Sequence, residues 1–372
     1  MTKETVSFAL FFMLTGGSKQ TRKKQLMKKN KVIIWGLGSV GRYAVKMILQ
    51  KKTLELAGAV DIDPDKVGKD AGELFGFENA GVTVSSDIDE VLKTEADVVL
   101  IYLPNMRDKG DMRPTGFTPN AENICRALRA GKNVITTLPV YHMKKTAPKL
   151  YEMVNNCALE NKVTYTQQGI FPGLFNPYLP IVIASMTGRT DKVIVTGGQD
   201  DSYNTSPWVA VFGYGKNPED FNGALIKDTI TSYYGPAVME IAERTGIEYD
   251  EYEEEHRMFT AETEMNPPCG KVMPGTISAH EFVMRCMKDG EEVTGFHFIH
   301  KVCDDLQPVP AMFDGYKIVG EPNLEVVIKG MIPAEEPFAS STAPGVNLIP
   351  LVAEAQPGFI DALDLPASRP VL

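Results

Sequence analysis

The chain has 372 residues, with 48 acidic against 38 basic side chains and a formal net charge of −10. Its length suffices for two domains, and its composition is that of an ordinary globular protein without an apolar run long enough to span a membrane. The negative charge and the lack of a basic stripe exclude nucleic acid and anionic membranes as expected partners. Five scattered cysteines without a C-x-x-C pair predict reduced thiols and a cytoplasmic protein.

Residues 1–30 precede the first predicted strand, and we expect them to form an extension outside the fold. The apolar run at residues 6–14 resembles the core of a signal peptide. However, the residues before it carry no net positive charge, and the basic cluster at residues 22–24 follows it. We therefore interpret the extension as disordered or as a mis-assigned start, with Met27 as a natural beginning and export as the alternative.

Residues 32–61 have the order of a dinucleotide-binding βαβ unit: an apolar strand, the turn GLGSVG, a helix, and a second strand that ends in an acid. The first glycine permits the tight turn, the second lets the backbone approach a pyrophosphate, and the third lets helix and strand pack closely. The start of the helix offers unpaired N–H groups and a positive dipole end to the phosphates. The predicted cofactor-binding residues are Gly36, Gly38, Ser39, Val40, Gly41 and Asp61, together with Tyr102 and Thr137 at the ends of later strands.

Asp61 also indicates which nicotinamide cofactor binds. Its carboxylate can accept hydrogen bonds from both ribose hydroxyls of the adenosine, and it would repel a 2′-phosphate. Lys66 and Lys69 follow closely and would offset part of that negative charge. NAD is therefore the expected cofactor, with NADP as the alternative.

The alternation of strands and helices continues to residue 167. Strands are predicted at residues 82–84, 98–103, 133–137 and 163–167, and helices at residues 66–74, 87–93, 121–130 and 146–161. A long loop at residues 105–120 follows the strand at 98–103, at the edge where nicotinamide and substrate sit in open α/β sheets. The predicted fold is α/β, with a doubly wound parallel Rossmann sheet over residues 31–167.

Residues 168–341 break this alternation. A turn at residues 169–173 leads into a helix to about residue 187, and β-rich runs follow at residues 192–197, 275–287, 292–302, 315–319 and 324–329. This pattern predicts an α+β second domain with a mixed or antiparallel sheet, used for substrate binding and dimerisation. Residues 342–372 are predicted to form a C-terminal helix and tail that return to the Rossmann domain.

Tyr141 and His142 are the nearest candidates for proton transfer beyond the strand at residues 133–137. A hydride-transfer enzyme leaves the redox step to the cofactor and needs protein groups that orient the substrate and move a proton. Both side chains can titrate or donate hydrogen bonds there. The alternative is that Tyr141 packs in the core and His142 merely caps a loop.

His297 and His300 lie on one predicted strand, three residues apart, so they face opposite sides and cannot share a metal. We predict that His300 faces the substrate pocket, with a structural histidine as the alternative. The acidic run at residues 253–256 lacks ligand spacing and is typical of a solvated face, so no metal site is predicted. Aromatic residues at positions 203–234 are either core or pocket wall.

The chain resembles the dihydrodipicolinate reductase-like family that contains 2,4-diaminopentanoate dehydrogenase and the native amine dehydrogenases. The segments that carry the resemblance run in order over nearly the whole chain: VIIWGLGSVGR, AVDIDPDKVGKDAGEL, ALRAGKNVITT, GIFPGLFN, VFGYG, YYGPAVMEIAERTGIEYDE, MPGTISAHEF, IHKV, KIVGEPNLEV and NLIPLVAEAQPGFIDALDLP. The resemblance implies a Rossmann domain, an α+β catalytic domain, a homodimer and nicotinamide-dependent oxidative deamination or its reverse.

The chain departs from that family at one functional position. Deaminating members carry an acid just after the strand that here reads NVITT, whereas Leu138, Pro139 and Val140 stand in this chain. That acid would deprotonate the substrate ammonium and balance its charge, and a buried ammonium without a partner is costly. The basic substrate-binding cluster of true dihydrodipicolinate reductases is also missing.

We therefore predict an oxidoreductase that moves hydride between NAD and a small C=N or C=O substrate, with Tyr141, His142 and His300 as candidate catalytic residues. Two alternatives stay open: a carbonyl or alcohol oxidoreductase without amine activity, and a non-catalytic sensor that binds NAD(H).

Overall fold

The computed structural model describes residues 29–103, 119–137, 140–204, 207–303, 314–332 and 338–370. The extension at residues 1–28 and most of the loop predicted at residues 105–120 lie outside these ranges, and so do Leu138 and Pro139. The described residues form two six-stranded sheets.

The first sheet is parallel throughout, with the strand order β12-β5-β4-β3-β1-β2. Its strands are β1 (Asn30–Trp35), β2 (Leu54–Val60), β3 (Val98–Ile101), β4 (Asn133–Thr136), β5 (Thr164–Gln167) and β12 (Gly358–Phe359). Runs of fully buried apolar residues form the central strands, as a parallel sheet covered on both faces requires. The predicted Rossmann sheet is confirmed, and the short β12 adds a strand that the sequence pattern does not reveal.

Helices cover both faces of this sheet. One core joins α1 (Ser39–Gln50) and α9 (Ala339–Ala353) to one face. The other face packs against α2 (Ile88–Leu92), α3 (Pro119–Arg129) and α5 (Pro148–Glu160), which the four-residue α4 (Met143–Thr146) precedes. Pro148 splits the helix predicted at residues 146–161, because proline is accommodated in the first turn of a helix but not in its interior.

The helix predicted at residues 66–74 is wrong. The chain there forms turns and one short 3₁₀ helix, Glu73–Phe75. The reason is Asp70, whose carboxylate accepts hydrogen bonds from the backbone N–H groups of Gly72, Glu73, Ala80 and Val82 at 2.8–3.1 Å. An acid that gathers backbone donors in this way favours a closed loop over a helix. The predicted strand at residues 82–84 is likewise reduced to isolated bridges.

The second sheet is mixed, as predicted, with the order β11-β10-β6-β9-β8-β7. The pair β6–β9 is parallel and the other neighbours are antiparallel. The strands are β6 (Arg189–Asp200), β7 (Glu251–Thr260), β8 (Ile277–Lys288), β9 (Glu291–Lys301), β10 (Asp314–Glu321) and β11 (Leu324–Ile328). The acidic run at residues 253–256 therefore belongs to an edge strand, β7.

Three helices accompany this sheet: α6 (Tyr178–Ala184), α7 (Pro207–Phe212) and the long α8 (Gly223–Thr245). The helix predicted to run to residue 187 is thus limited to α6. Helix α8 packs along the sheet, with Tyr234 against Phe298 and Val238 against Thr294. No described helix is long and apolar enough to cross a membrane.

The C-terminal residues join the two sheets. Thr342 on α9 donates a hydrogen bond to the carbonyl of Val40 at 3.2 Å, beside the glycine turn. After β12, Asp364 accepts two hydrogen bonds from Arg244 on α8, at 2.7 and 3.2 Å. The segment after β5 crosses in the other direction and places the ring of Phe171 5.2 Å from that of Phe298.

Candidate functional site

The glycine turn between β1 and α1 leaves a bare backbone surface. Gly36 has φ +102°, and a Cβ placed on it would lie 2.6 Å from the carbonyl oxygen of Tyr102. A Cβ on Gly41 would lie 2.1 Å from the carbonyl oxygen of Gly36, so both positions require glycine. A Cβ on Gly38, in contrast, meets no atom within 4 Å. The packing of this chain therefore does not require glycine at position 38.

The start of α1 also leaves backbone N–H groups available to a ligand. The first intrahelical bond runs from the Arg42 N–H to the Gly38 carbonyl, so Ser39, Val40 and Gly41 offer N–H groups without a helical acceptor. No side chain caps this end of the helix. A bare turn with free donors and a positive dipole end fits the pyrophosphate of a dinucleotide.

Asp61 lies directly after β2, beside the same turn. Its Oδ2 accepts hydrogen bonds from the Leu37 N–H at 2.8 Å and from Lys66 Nζ at 3.1 Å, and its Oδ1 accepts one from the Asp63 N–H at 3.0 Å. Partial burial raises the pKa of Asp61, but these hydrogen bonds outweigh that effect and hold the pKa below its usual value. The carboxylate is therefore charged at neutral pH, and Oδ1 retains a lone pair for a ribose hydroxyl.

Tyr102 and Thr137 end β3 and β4 at this edge of the sheet. The carbonyl of Tyr102 touches Gly36, but its side chain turns into the core with Ile135 and Val346. The Tyr102 hydroxyl is buried without a hydrogen-bond partner, and burial raises its pKa. Thr137 is half-buried beside Gly169, where the chain leaves β5. Only the backbone of Tyr102 therefore faces the dinucleotide turn.

Tyr141 and His142 lie where the Rossmann unit meets α8. The buried Tyr141 hydroxyl donates a hydrogen bond to Gln168 Oε1 at 3.2 Å, and burial raises its pKa well above the ordinary value. His142 Nε2 lies 3.1 Å from Glu243 Oε2 on α8, and burial lowers the pKa of this imidazole. Both contacts join the two units of the chain.

His300 lies near the end of β9 and is only 5% exposed. Its Nδ1 is 3.0 Å from Asp201 Oδ2, and its ring packs 4.3 Å from that of Phe212. Its Nε2 is buried and has no hydrogen-bond partner. His297, on the opposite face of the strand, pairs instead with Glu292 at 2.8 Å and is one-third exposed.

Asp201, just after β6, is a functional candidate that the sequence reasoning missed. It is fully buried, and four side chains surround its carboxylate. Gln199 and Asn204 each lie 2.9 Å from Oδ1, and Tyr214 and His300 lie 2.8 and 3.0 Å from Oδ2. The available signal is the polar run Gln199–Asp201, which lies two to four residues beyond the predicted end of that strand at residue 197.

A pocket of about 400 Å³ opens beside this carboxylate. Asn204 and Tyr214, which both bond to Asp201, are part of its wall. Small apolar residues (Val209, Ala210) and Cys269 line it further, with Lys216 in the wall as well. Its size and mixed lining suit a small, partly polar molecule.

The three sequence candidates for catalysis do not come together. His300 packs 4.5 Å from Phe298, which in turn contacts Tyr234 on α8. His142 pairs with Glu243, nine residues further along the same helix, or about 13 Å of helical rise. No group of three or more metal-ligating side chains occurs among the residues that the structure describes.

Comparisons with known proteins identify the family. Residues 181–372 match the 2,4-diaminopentanoate dehydrogenase C-terminal domain, and residues 30–102 match the dihydrodipicolinate reductase N-terminus. An amine dehydrogenase of Streptomyces virginiae is 29% identical, over 91% of this chain and 97% of its own. A 2,4-diaminopentanoate dehydrogenase of Acetoanaerobium sticklandii is 25% identical, over 93% of this chain and 96% of its own.

Solved structures agree in fold. The amine dehydrogenase from Mycobacterium smegmatis superimposes with a TM-score of 0.74 at 22% identity, covering 92% of this chain and 98% of its own. The predicted family and fold class are thus confirmed. The chain belongs to the 2,4-diaminopentanoate dehydrogenase family and is an NAD(P)-dependent oxidoreductase.

Proposed function

We propose that this enzyme oxidises a small primary amine with NAD, or runs the reverse reductive amination. The relatives that cover nearly the whole chain are named for amine substrates, which supports this choice. The observation that carries the proposal is the pairing of a bare dinucleotide turn with a pocket of about 400 Å³, two of whose lining residues, Asn204 and Tyr214, hydrogen-bond to the buried Asp201 that pairs with His300. Oxidation of an alcohol to a carbonyl compound is the second candidate, because residues 138–140 include no acid that could pair with an ammonium substrate.

The cofactor, when bound, supplies the hydride acceptor for the substrate carbon. Gly36, Gly38 and Gly41 would hold the pyrophosphate with the N–H groups of Ser39 and Val40. Asp61 would accept a hydrogen bond from the adenosine ribose, which favours NAD over NADP. The next side chain, Ile62, is 85% exposed and offers an apolar surface for the adenine.

We propose His300 as the group that moves the proton. Its Nδ1 faces a carboxylate that can only accept, so in the neutral ring Nδ1 carries the hydrogen and Nε2 is the free base. Tyr141 and His142 stay predictions from the sequence. Their contacts with Gln168 and Glu243 support a role in holding the two units together.

The remaining assignments are also proposals. Residues 31–167 bind the dinucleotide, residues 168–341 bind the substrate and form a homodimer, and residues 342–372 return to the Rossmann unit. All five cysteines are free thiols, which supports a cytoplasmic location. The mass of the purified enzyme in solution tests the dimer directly.

Steady-state turnover tests the function. The enzyme is assayed for NADH formation with matched pairs of substrate, such as sec-butylamine and 2-butanol, and NADH binding is measured by fluorescence. Turnover of the amine supports the proposal, and turnover of the alcohol alone overturns it in favour of carbonyl chemistry. Tight NADH binding without turnover of either substrate would identify a sensor.

A further inference from the structure

The site contains a buried negative charge without a fixed partner cation. Asp201 is 0% exposed, and no described lysine or arginine forms an ion pair with it. Its neighbours Gln199 and Asn204 each donate an amide N–H to Oδ1. Burial and the nearby Asp201 charge raise the pKa of Tyr214 well above its ordinary value, so this hydroxyl stays protonated and donates to Oδ2. Three side chains therefore donate hydrogen bonds to Asp201.

His300 contacts this carboxylate through Nδ1 and leaves its other ring nitrogen, Nε2, without a hydrogen-bond partner in the part of the chain that the structure describes. The carboxylate fixes the hydrogen on Nδ1, and the stacked ring of Phe212 restrains the imidazole plane. Nε2 is left buried and without a hydrogen-bond partner among the described residues. A ligand that donates a hydrogen bond would satisfy this acceptor.

The chain lacks a negative charge where its deaminating relatives are expected to have one. No acid occurs at positions 138–140 after β4, although an ammonium substrate needs a partner for its charge. Asp201 is a buried carboxylate on the second unit, and its ion-pair partner among the described residues is His300. Asp201 can therefore supply the negative charge that is missing after β4.

We propose that Asp201 positions His300 as the proton acceptor for a cationic primary amine, and that this pair replaces the carboxylate missing after β4. This inference rests on the proposed function and adds the residue that positions its proton acceptor. Asp201 is a positioning residue, since it acts through His300. The pocket beside Asn204 and Tyr214 then admits a small aliphatic amine.

The proton and electrons balance in this scheme. His300 Nε2 takes one proton from the substrate ammonium, which leaves a neutral amine and an imidazolium paired with Asp201. The nitrogen lone pair then forms a C=N bond as the neighbouring carbon loses its hydrogen as hydride to the oxidised nicotinamide. Water adds to this iminium carbon, the product ketone and an ammonium ion leave, and His300 returns its proton to the solvent.

The test compares Asp201→Asn and His300→Asn with the matched control His297→Asn. The control also removes a histidine paired with a carboxylate from β9, but on the opposite face. We expect the first two variants to lose about 100-fold or more in kcat/KM for sec-butylamine, the range of general-base catalysis. His297→Asn keeps the wild-type value, and Asp201→Glu restores part of the activity.

A pH profile separates positioning from a structural effect. We expect His300→Asn to lose the acidic limb of the kcat/KM profile that the wild type shows, while it still binds NADH. If Asp201→Asn matches His297→Asn in rate and profile, the inference is overturned although the proposed function stands. A wild type that binds NADH but oxidises no amine overturns the proposed function itself.

Discussion

We propose that cofactor choice depends on one pair of side chains, Asp61 and Lys66. In this proposal the carboxylate presents negative charge where a 2′-phosphate would lie. Lys66 Nζ lies 3.1 Å from Asp61 and 3.4 Å from Asp63, so the same place also holds a cation. In the wild type this lysine is occupied by two carboxylates. Removal of Asp61 would leave it available to a phosphate.

We predict that Asp61→Ala lowers the affinity for NADH about tenfold, or roughly 1.4 kcal/mol of binding free energy, because a charge-assisted hydrogen bond to the ribose is lost. NADPH binding is unchanged or tighter, since Lys66 is released. Fluorescence titration with both cofactors measures this, with Asp63→Ala as the control that keeps the Asp61 carboxylate. Equal losses for NADH and NADPH would contradict the assignment.

At the scale of elements, the turn between β1 and α1 contains two glycines that we expect to have different roles. Gly41 lies against the Gly36 carbonyl and is required by the fold itself. A Cβ on Gly38 would meet no atom of the protein within 4 Å, so the space beside it is open to the proposed cofactor. Substitutions at the two positions can therefore separate folding from the proposed cofactor binding.

We predict that Gly38→Ala leaves the melting temperature unchanged but lowers the affinity for NADH by about tenfold or more, because the new methyl group keeps the pyrophosphate from the backbone. Gly41→Ala lowers the melting temperature as well, since its Cβ would lie 2.1 Å from a carbonyl oxygen. Thermal unfolding and NADH titration of both variants provide the comparison. A Gly38→Ala variant that binds NADH normally would place the pyrophosphate elsewhere.

Most strands of both sheets follow from apolar runs, and the dinucleotide turn follows from spacing alone, so these parts are predictable from the sequence. The acidic β7 and the two-residue β12 are the exceptions. The loop closed by Asp70 is not predictable, because four backbone donors reach one carboxylate only after folding. Helix α8 escapes prediction because buried residues occur around most of its circumference, which hides the usual period. The Asp201–His300 pair joins residues 99 positions apart, which no local pattern reveals.

For the whole molecule, the junction of the Rossmann unit, α8 and the tail contains a buried acid. Glu240 on α8 is 3% exposed. Burial, followed by the charge of Asp361, raises the pKa of Glu240 from 4.5 to about 9. The folded enzyme therefore holds this proton more tightly than the unfolded chain. Its stabilising effect is complete below the ordinary pKa and is lost as pH rises to about 9.

We predict that Glu240→Gln flattens the fall of the melting temperature between neutral pH and pH values near 9, because the amide stays neutral. The control is Glu243→Gln, which removes a surface partner of His142 and Lys145 instead. Thermal unfolding across this pH range measures the difference. Identical pH profiles for wild type and Glu240→Gln would show that the junction does not control alkaline stability.

The central claim is hydride transfer from an amine carbon, and isotope transfer tests it most directly. The enzyme is supplied with NAD and sec-butylamine that carries deuterium at the carbon bearing the nitrogen. We predict that the deuterium appears at C4 of the reduced nicotinamide, with butanone and ammonia as the other products. A reduced cofactor without deuterium, or labelled cofactor formed only from the deuterated alcohol, would contradict the account.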